Sequence, residues 1–247
     1  IAAELSGVIF KDPAYGSDPL SGWQTADEYL SGNVRQKLRA AQRAAERDPA
    51  FAVNVEALKA AQPKDLDASE IEVRLGATWI DKEYIRQFMY ETFDTPRYLR
   101  GTIDVNYSAY TAEWQITGKT QIPYNNIAAY TTYGTDRANA YRILEDSLNL
   151  RDVRIYDTVE DADGKERRVL NAKETTLATQ KQQAIRDAFK DWIWRDPERR
   201  QALVRQYNEE MNSTRPREYD GSHIIFSGMN PEITLREHQK SAIAHVL

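Results

Sequence analysis

The 247-residue chain has 41% hydrophobic and 29% charged residues, a composition typical of globular proteins that bury a sizeable core. Its net charge of −5 argues against nucleic-acid binding over the whole surface, and the absence of cysteine excludes disulfides, thiolate metal sites and cysteine nucleophiles. No apolar run approaches the roughly 20 residues that a membrane-spanning helix needs. We therefore expect a cytoplasmic protein without membrane contact.

Residues 1–66 are predicted to form an N-terminal helical hairpin region. Thr25–Glu28 reads as a capping box that opens a long helix to about Glu46, with a weak point at Ser31–Asn33. Asp48–Pro49 predicts the start of a second helix, because proline suits the first helical position. Two helices joined by so short a turn are expected to pack as an antiparallel hairpin.

Residues 67–170 are predicted to form a mixed α+β region with antiparallel strands. Strict alternation over Ser69–Leu75 predicts a strand, and Asp81–Phe93 predicts a capped amphipathic helix. The strongest strand signal is the aromatic and β-branched stretch Tyr98–Ile116. A further hairpin is expected to turn at Asp163–Gly164.

Residues 171–212 are predicted to form a second helical hairpin, with Asn171–Glu174 as its capping box and Asp196–Pro197 as the start of its second helix. Residues 213–247 predict a connector and a last helix, for which Thr234 is the expected N-cap. The whole pattern predicts a helix-rich α+β fold in which helical hairpins flank a central, mainly antiparallel sheet.

The junction of the two helices in residues 171–212 combines aromatic and basic side chains, which suits base stacking together with phosphate contact. The candidate nucleic-acid-binding residues there are Lys190, Trp194, Arg195, Arg199 and Arg200. The structural alternative is that Trp192 and Trp194 anchor the helix junction while the arginines are solvated. We weight this alternative more heavily.

Two further arginines, Arg215 and Arg217, bracket Pro216 in a segment expected to be extended. They are candidates to hold two phosphates, or equally to form salt bridges with Glu218 and Asp220.

Six tyrosines lie between residues 98 and 133. Tyrosines on an antiparallel sheet usually pack with their hydroxyls at the rim. A base-stacking face is the secondary interpretation.

Catalytic motifs are absent from the sequence. There is no phosphate-binding Gly-x-x-x-x-Gly-Lys-Ser/Thr loop, no dinucleotide-binding glycine fingerprint and no Gly-x-Ser-x-Gly nucleophile elbow. Three histidines near the C-terminus offer little for a metal site. We predict no catalytic residue and no bound metal in this chain.

Several long segments together resemble one known group, the very large DNA methylase–helicase polypeptides of bacterial conjugative transposons and phages. The segments that carry the resemblance are 25–35, 52–58, 71–80, 84–90, 148–153, 191–194, 215–223 and 228–240. In that family a methyltransferase-like part precedes a superfamily-two helicase.

The resemblance implies that the chain is an intermodule segment of a longer protein from a mobile genetic element, ending in the first helix of a helicase domain. Gln239 and Arg236 would match part of the adenine-reading motif before that domain. ATP and S-adenosylmethionine are implied for the parent protein and no cofactor for this segment. The leading hypothesis is a noncatalytic region that helps the parent engage DNA. The alternative is a scaffold that docks the methylase and helicase modules without touching DNA.

Overall fold

A computed structural model of the chain describes residues 7–16, 18, 20–160, 165–219, 221, 224–225, 227–230 and 232–246. The α-helices are α1 (Ala26–Tyr29), α2 (Val34–Ala45), α3 (Ala52–Ala60), α4 (Lys82–Thr92), α5 (Ala140–Leu148), α6 (Ala172–Arg195), α7 (Pro197–Glu210) and α8 (Glu237–Val246). The strands are β1 (Ile9–Lys11), β2 (Trp23–Thr25), β3 (Gly32–Asn33), β4 (Asp104–Ser108), β5 (Glu113–Thr117), β6 (Tyr156–Glu160), β7 (Glu166–Leu170) and β8 (Thr214–Arg215). Short 3₁₀ turns and one π-helical turn, Ala128–Thr132, complete the elements.

The helix-rich α+β class and the antiparallel strand pairing are confirmed. Within the described part of the chain, the strands form four separate two-stranded pairs, β1–β2, β3–β8, β4–β5 and β6–β7, rather than one central sheet. The chain divides into two compact units, one formed by residues 1–66 and 206–247 and the other by residues 67–205. These units cut across the four segments expected from the sequence, since the first and last segments share a unit.

The first unit is built on the predicted helical hairpin of α2 and α3. Its core contains Phe10 and Tyr29, whose rings stack at 5.1 Å, together with the buried side chains of α2 and α3. The C-terminal residues join this unit through side-chain amides: Asn208 exchanges hydrogen bonds of 2.8 and 2.9 Å with the backbone of Leu66, and Asn212 donates to the Lys64 carbonyl.

The second unit packs α4, α5 and α6 around an aromatic core. Phe88 of α4 makes edge-to-face contacts with Phe93, Phe189 and Trp192 at 5.1–6.0 Å between ring centroids. The β4–β5 hairpin lies beside α4 and α5, held by the buried Trp114 and Ile116 of β5. This packing fixes α6 and the turn that follows it.

Helix starts were the most accurate part of the sequence analysis. The side chains of Asp48, Asp81 and Asn171 accept hydrogen bonds from the backbone of the turns that they begin, as predicted. The weak point at Ser31–Asn33 is a real break between α1 and α2. Thr25 precedes α1 without a side-chain capping bond.

Three strand or helix predictions were wrong or incomplete. Residues 69–75 bury alternate side chains, but none of the described strands pairs with them, so the segment is not a strand. The stretch 98–116 divides into a 3₁₀ turn and the strands of a β4–β5 hairpin. The last helix begins at Glu237, three residues after the predicted Thr234 cap. The turn expected at residues 163–164 lies outside the described residues.

Candidate nucleic-acid interface

The α6–α7 corner carries the basic and aromatic candidates of residues 190–200. Asp196 is extended because Pro197 follows it, and this ends α6. The Asp196 carboxylate then accepts a 2.7 Å hydrogen bond from the backbone N–H of Arg199, which caps the start of α7. Sequence alone therefore fixes the sharp corner that presents these side chains.

Trp192 and Arg199 form the inner part of the corner. Trp192 is only 6% exposed, and its indole N–H donates a 2.7 Å hydrogen bond to the Glu91 carboxylate of α4. The Arg199 guanidinium lies 3.6 Å from the centre of the Trp192 ring. It also donates to the carbonyls of Trp192 and Ile193 at 2.6 and 3.1 Å. Arg199 therefore closes the C-terminus of α6, a use that neither the nucleic-acid interpretation nor its solvated-arginine alternative anticipated.

A cleft of about 750 Å³ lies between α4 and this corner. Its walls include Tyr84 and Glu91 of α4 and, from the corner, Arg195, Glu198 and Arg199. Burial lowers the pKa of Arg199, and the neighbouring Asp196 and Glu91 carboxylates oppose that shift. The cleft thus carries cations and carboxylates together and has no dominant sign of charge.

The outer part of the corner is formed by Lys190, Trp194, Arg195 and Arg200. The three cations are exposed, and no salt bridge to any of them occurs among the described residues. Trp194 is half-buried, and its indole N–H has no hydrogen-bond partner within the part of the chain that is described. Lys190 and Trp194 are four residues apart and so lie on the same face of α6.

Arg215 and Arg217 belong to the first unit and are already paired there. Arg215 lies in β8, opposite Gly32, and its guanidinium is 3.3 Å from the Glu218 carboxylate. Arg217 forms a 2.7 Å salt bridge with Asp27. This pairing raises the pKa of Arg217. The salt-bridge interpretation therefore describes the observed contacts of these two arginines, with Glu218 as the partner of Arg215 and Asp27 as a partner of Arg217. Asp220, the other predicted partner, lies outside the described residues.

Gln239 and Arg236 meet at the start of α8. The Gln239 carboxamide oxygen accepts a 2.9 Å hydrogen bond from the backbone N–H of Arg236. Gln at the third helical position reaching back to the cap residue is one half of a capping box. The carboxamide oxygen is thus used in the helix cap. The adenine contact expected of these residues stays a prediction.

The tyrosines between residues 98 and 133 divide into packed and exposed members. Tyr107 of β4 packs on Trp114 at 4.8 Å, and Tyr133, which lies after the π-helical turn, packs on Phe93 at 5.7 Å. Three others are largely exposed: Tyr98 (74%), Tyr110 (100%) and Tyr124 (86%). The spacing of the tyrosines in the sequence does not reveal that Lys119, Arg137 and Arg142 line a pocket with Tyr124.

Comparison with known proteins gives a family without an assigned function. The family described as Domain of unknown function (DUF8437) matches residues 74–213, which is more than half of the chain. No curated protein and no solved structure matched the chain. Within the described residues, no group of three or more histidine, aspartate or glutamate side chains is placed to hold a metal ion, and no helix could cross a membrane.

Proposed function

The chain belongs to the DUF8437 family, and we propose that it is a noncatalytic accessory region of a DNA methylase–helicase polypeptide that helps the parent protein engage DNA. The observation that carries the proposal is the outer part of the α6–α7 corner. Lys190, Arg195 and Arg200 are exposed without carboxylate partners in the described structure, beside the half-buried Trp194. ATP and S-adenosylmethionine belong, in this proposal, to the catalytic modules of the parent.

The physical basis is the combination of free cations with an available aromatic face. Base–aromatic stacking contributes about 1–3 kcal/mol per base, and each cation that meets a phosphate releases a counterion. Arg199 and Arg217 are removed from the candidate contacts, because their guanidinium groups are held by protein atoms at 2.6–3.1 Å. Arg215 is weakened as a candidate by its contact with Glu218.

Three phosphate contacts have a measurable salt signature. With slopes of about −0.7 per contact for single strands and −0.9 for duplex DNA, three contacts should weaken binding roughly 20- to 40-fold between 50 and 200 mM salt. The net charge of −5 opposes binding outside this surface, so we expect modest affinity.

The test is fluorescence anisotropy of labelled single-stranded and duplex DNA with the full chain and a triple variant, Lys190→Gln, Arg195→Gln and Arg200→Gln. The matched control neutralises three exposed cations elsewhere in the same unit: Arg74, Lys82 and Arg154. The DNA affinity of the triple corner variant should lose most of its salt dependence, whereas that of the control variant should lose little. Absence of salt-sensitive binding at tens of micromolar wild-type protein would refute the proposal for this chain.

The second candidate function is a scaffold that docks the methylase and helicase modules without contacting DNA. The observation in its favour is the cleft beside the corner, whose lining includes the carboxylates of Glu91 and Glu198 together with the guanidinium groups of Arg195 and Arg199. Mixed charges suit a polar protein surface better than a polyanion. Charge reversal at Arg195 and Arg200 would then weaken binding to the purified parent modules and leave the DNA affinity of the parent unchanged.

A further inference from the structure

A small pocket near the start of α5 combines an exposed and a partly buried tyrosine with cations. Tyr124 and Tyr130 lie with ring centroids 5.1 Å apart and planes 31° apart, and Tyr124 is 86% exposed. The pocket has a volume of about 220 Å³ and is also lined by Lys119, Asp136, Arg137 and Arg142. This is below the roughly 300–1,000 Å³ of pockets that enclose drug-sized ligands, so it suits one planar ring.

The Tyr124 loop is exposed but anchored. The side-chain amide of Asn126 donates to the carbonyls of Phe93 and Asp94 at 3.1 and 3.0 Å, and its oxygen accepts a 2.7 Å bond from the Ala129 N–H. These three bonds tie the loop to the end of α4 and to the π-helical turn. An aromatic side chain on an anchored loop loses little conformational entropy when a ligand stacks on it.

The opposite wall is anchored as well. Asn139 caps α5 by accepting a 3.1 Å bond from the Arg142 N–H, and its amide donates to the Lys119 carbonyl at 2.7 Å. Lys119 forms an ion pair with Glu145, and Arg137 forms a 2.8 Å ion pair with Asp157.

Arg142 is the cation that remains available at this pocket. Its guanidinium donates one 3.3 Å bond to the Arg137 carbonyl and, within the described residues, has no carboxylate at salt-bridge distance. Asp136 lines the same pocket and is exposed. The available groups are therefore one aromatic face, one guanidinium and one carboxylate that would repel an anion.

We propose that this pocket binds an unpaired nucleotide of single-stranded DNA, with the base stacked on Tyr124 and the adjoining phosphate on Arg142. This inference rests on the proposed function, and it specifies that the second unit binds DNA in single-stranded form. A paired base inside a duplex shows its edges in the grooves but keeps its faces stacked on its neighbours. Only an unpaired base offers a face to Tyr124.

The experiment is fluorescence anisotropy of a labelled 15-nucleotide oligothymidylate against the full chain, with a hairpin duplex and an oligouridylate as parallel probes. Replacing Tyr124 by Ala should weaken oligothymidylate binding roughly 5- to 150-fold, the range for one lost base stack. Tyr124→Phe should retain affinity, because it keeps the ring. Tyr110→Ala is the matched control, since Tyr110 is fully exposed and does not line the pocket.

Two charge variants separate ligand contact from folding. Arg142→Gln should reduce the salt slope by about 0.7, the contribution of one single-strand contact. Asp136→Asn should strengthen binding, an effect that loss of structure would not produce. Oligouridylate binding tighter than oligothymidylate binding would overturn single-stranded DNA as the ligand.

The outcomes distinguish this inference from the proposed function. The pocket proposal is refuted if the duplex binds more tightly than the oligothymidylate, or if the oligothymidylate affinity of Tyr124→Ala is within twofold of wild type. Either result leaves the proposal for the α6–α7 corner unaffected. No binding of any probe by the wild-type chain overturns both. Circular dichroism of each variant confirms that affinities are compared between folded chains.

Discussion

Arg199 should stabilise the fold, although its sequence context resembles a nucleic-acid contact. Replacing it by Ala removes two hydrogen bonds to the carbonyls of Trp192 and Ile193 and the guanidinium 3.6 Å from the Trp192 ring. Each hydrogen bond contributes about 0.5–1.5 kcal/mol, and the cation–π contact about 1 kcal/mol at a half-buried site. The desolvation that lowers its pKa offsets part of this sum. We expect Arg199→Ala to cost about 2 kcal/mol of unfolding free energy.

The assay is urea unfolding followed by tryptophan fluorescence and circular dichroism, with Arg200→Ala as the matched control. Arg200 is exposed and adjacent in sequence, so its removal should stay within about 0.5 kcal/mol of wild type. Arg199→Lys keeps the charge but lacks the planar fork, and it should recover only part of the loss. Equal stability of Arg199→Ala and Arg200→Ala would refute the assignment of Arg199 as a closing contact of α6.

Three further predictions concern other parts of the fold. Burial raises the pKa of Tyr141 to about 12, whereas a tyrosine in the unfolded chain ionises near 10. The free energy of unfolding should therefore fall as the pH rises from 10 to 12. Urea midpoints measure this loss, which should be smaller in Tyr141→Phe. Hydrogen bonds from Thr25 and Arg217 lower the pKa of Asp27, so the ionised carboxylate stabilises the fold above about pH 4. An NMR titration should give a higher pKa for Asp27 in Arg217→Gln than in the wild type. An unchanged pKa would contradict the pairing of the two side chains. Gly101→Ala should cost roughly 1–2 kcal/mol from its positive φ alone. Gly76→Ala should cost clearly more in thermal melts, because its Cβ would lie 2.3 Å from the last carbonyl oxygen of α5.

The predictable parts of this fold were those set by neighbouring residues. Asp48, Asp81 and Asn171 cap helices through bonds to the next two or three residues, so their short-range patterns were sufficient. In the helical hairpin of residues 1–66, the Asp48–Pro49 start was predicted, whereas α2 is capped by Asn33 and not by the predicted Thr25. Local rules also placed the corner at Asp196–Pro197.

The strand prediction at residues 69–75 failed because alternation reports burial, while a strand also requires a partner. Ile71, Val73 and Leu75 are 3–4% exposed, so the pattern correctly identified the inward side chains. Among the described residues the segment packs these side chains into the core without pairing to a strand, because pairing depends on residues that are distant in sequence. For the same reason, the local sequence did not show that the strands form separate pairs rather than one sheet.

In the candidate sites, the sequence likewise does not show which charged or polar side chains are already bound by other protein atoms. Sequence spacing gave Arg199, Arg195 and Arg200 equal standing, yet only Arg199 reaches back to the carbonyls that end α6. Likewise Gln239 completes a helix cap through a bond that no motif search distinguishes from adenine recognition. Whether a polar side chain is free for a ligand depends on its protein partners, which three-dimensional contacts reveal.

The charged and aromatic side chains that stay available in the described structure limit the ways in which this chain could bind DNA under the proposed function. Aspartate and glutamate residues outnumber lysine and arginine residues by 38 to 33, so phosphate attraction alone would give modest affinity. Aromatic faces then have to contribute more, and they include the half-buried Trp194 at the corner and the exposed Tyr98, Tyr110 and Tyr124. Stacking favours unpaired bases, whereas phosphate contact does not distinguish them from a duplex. Under the proposed function we therefore predict a preference for single-stranded DNA, and the ratio of the affinities for the two probe types at one salt concentration measures it.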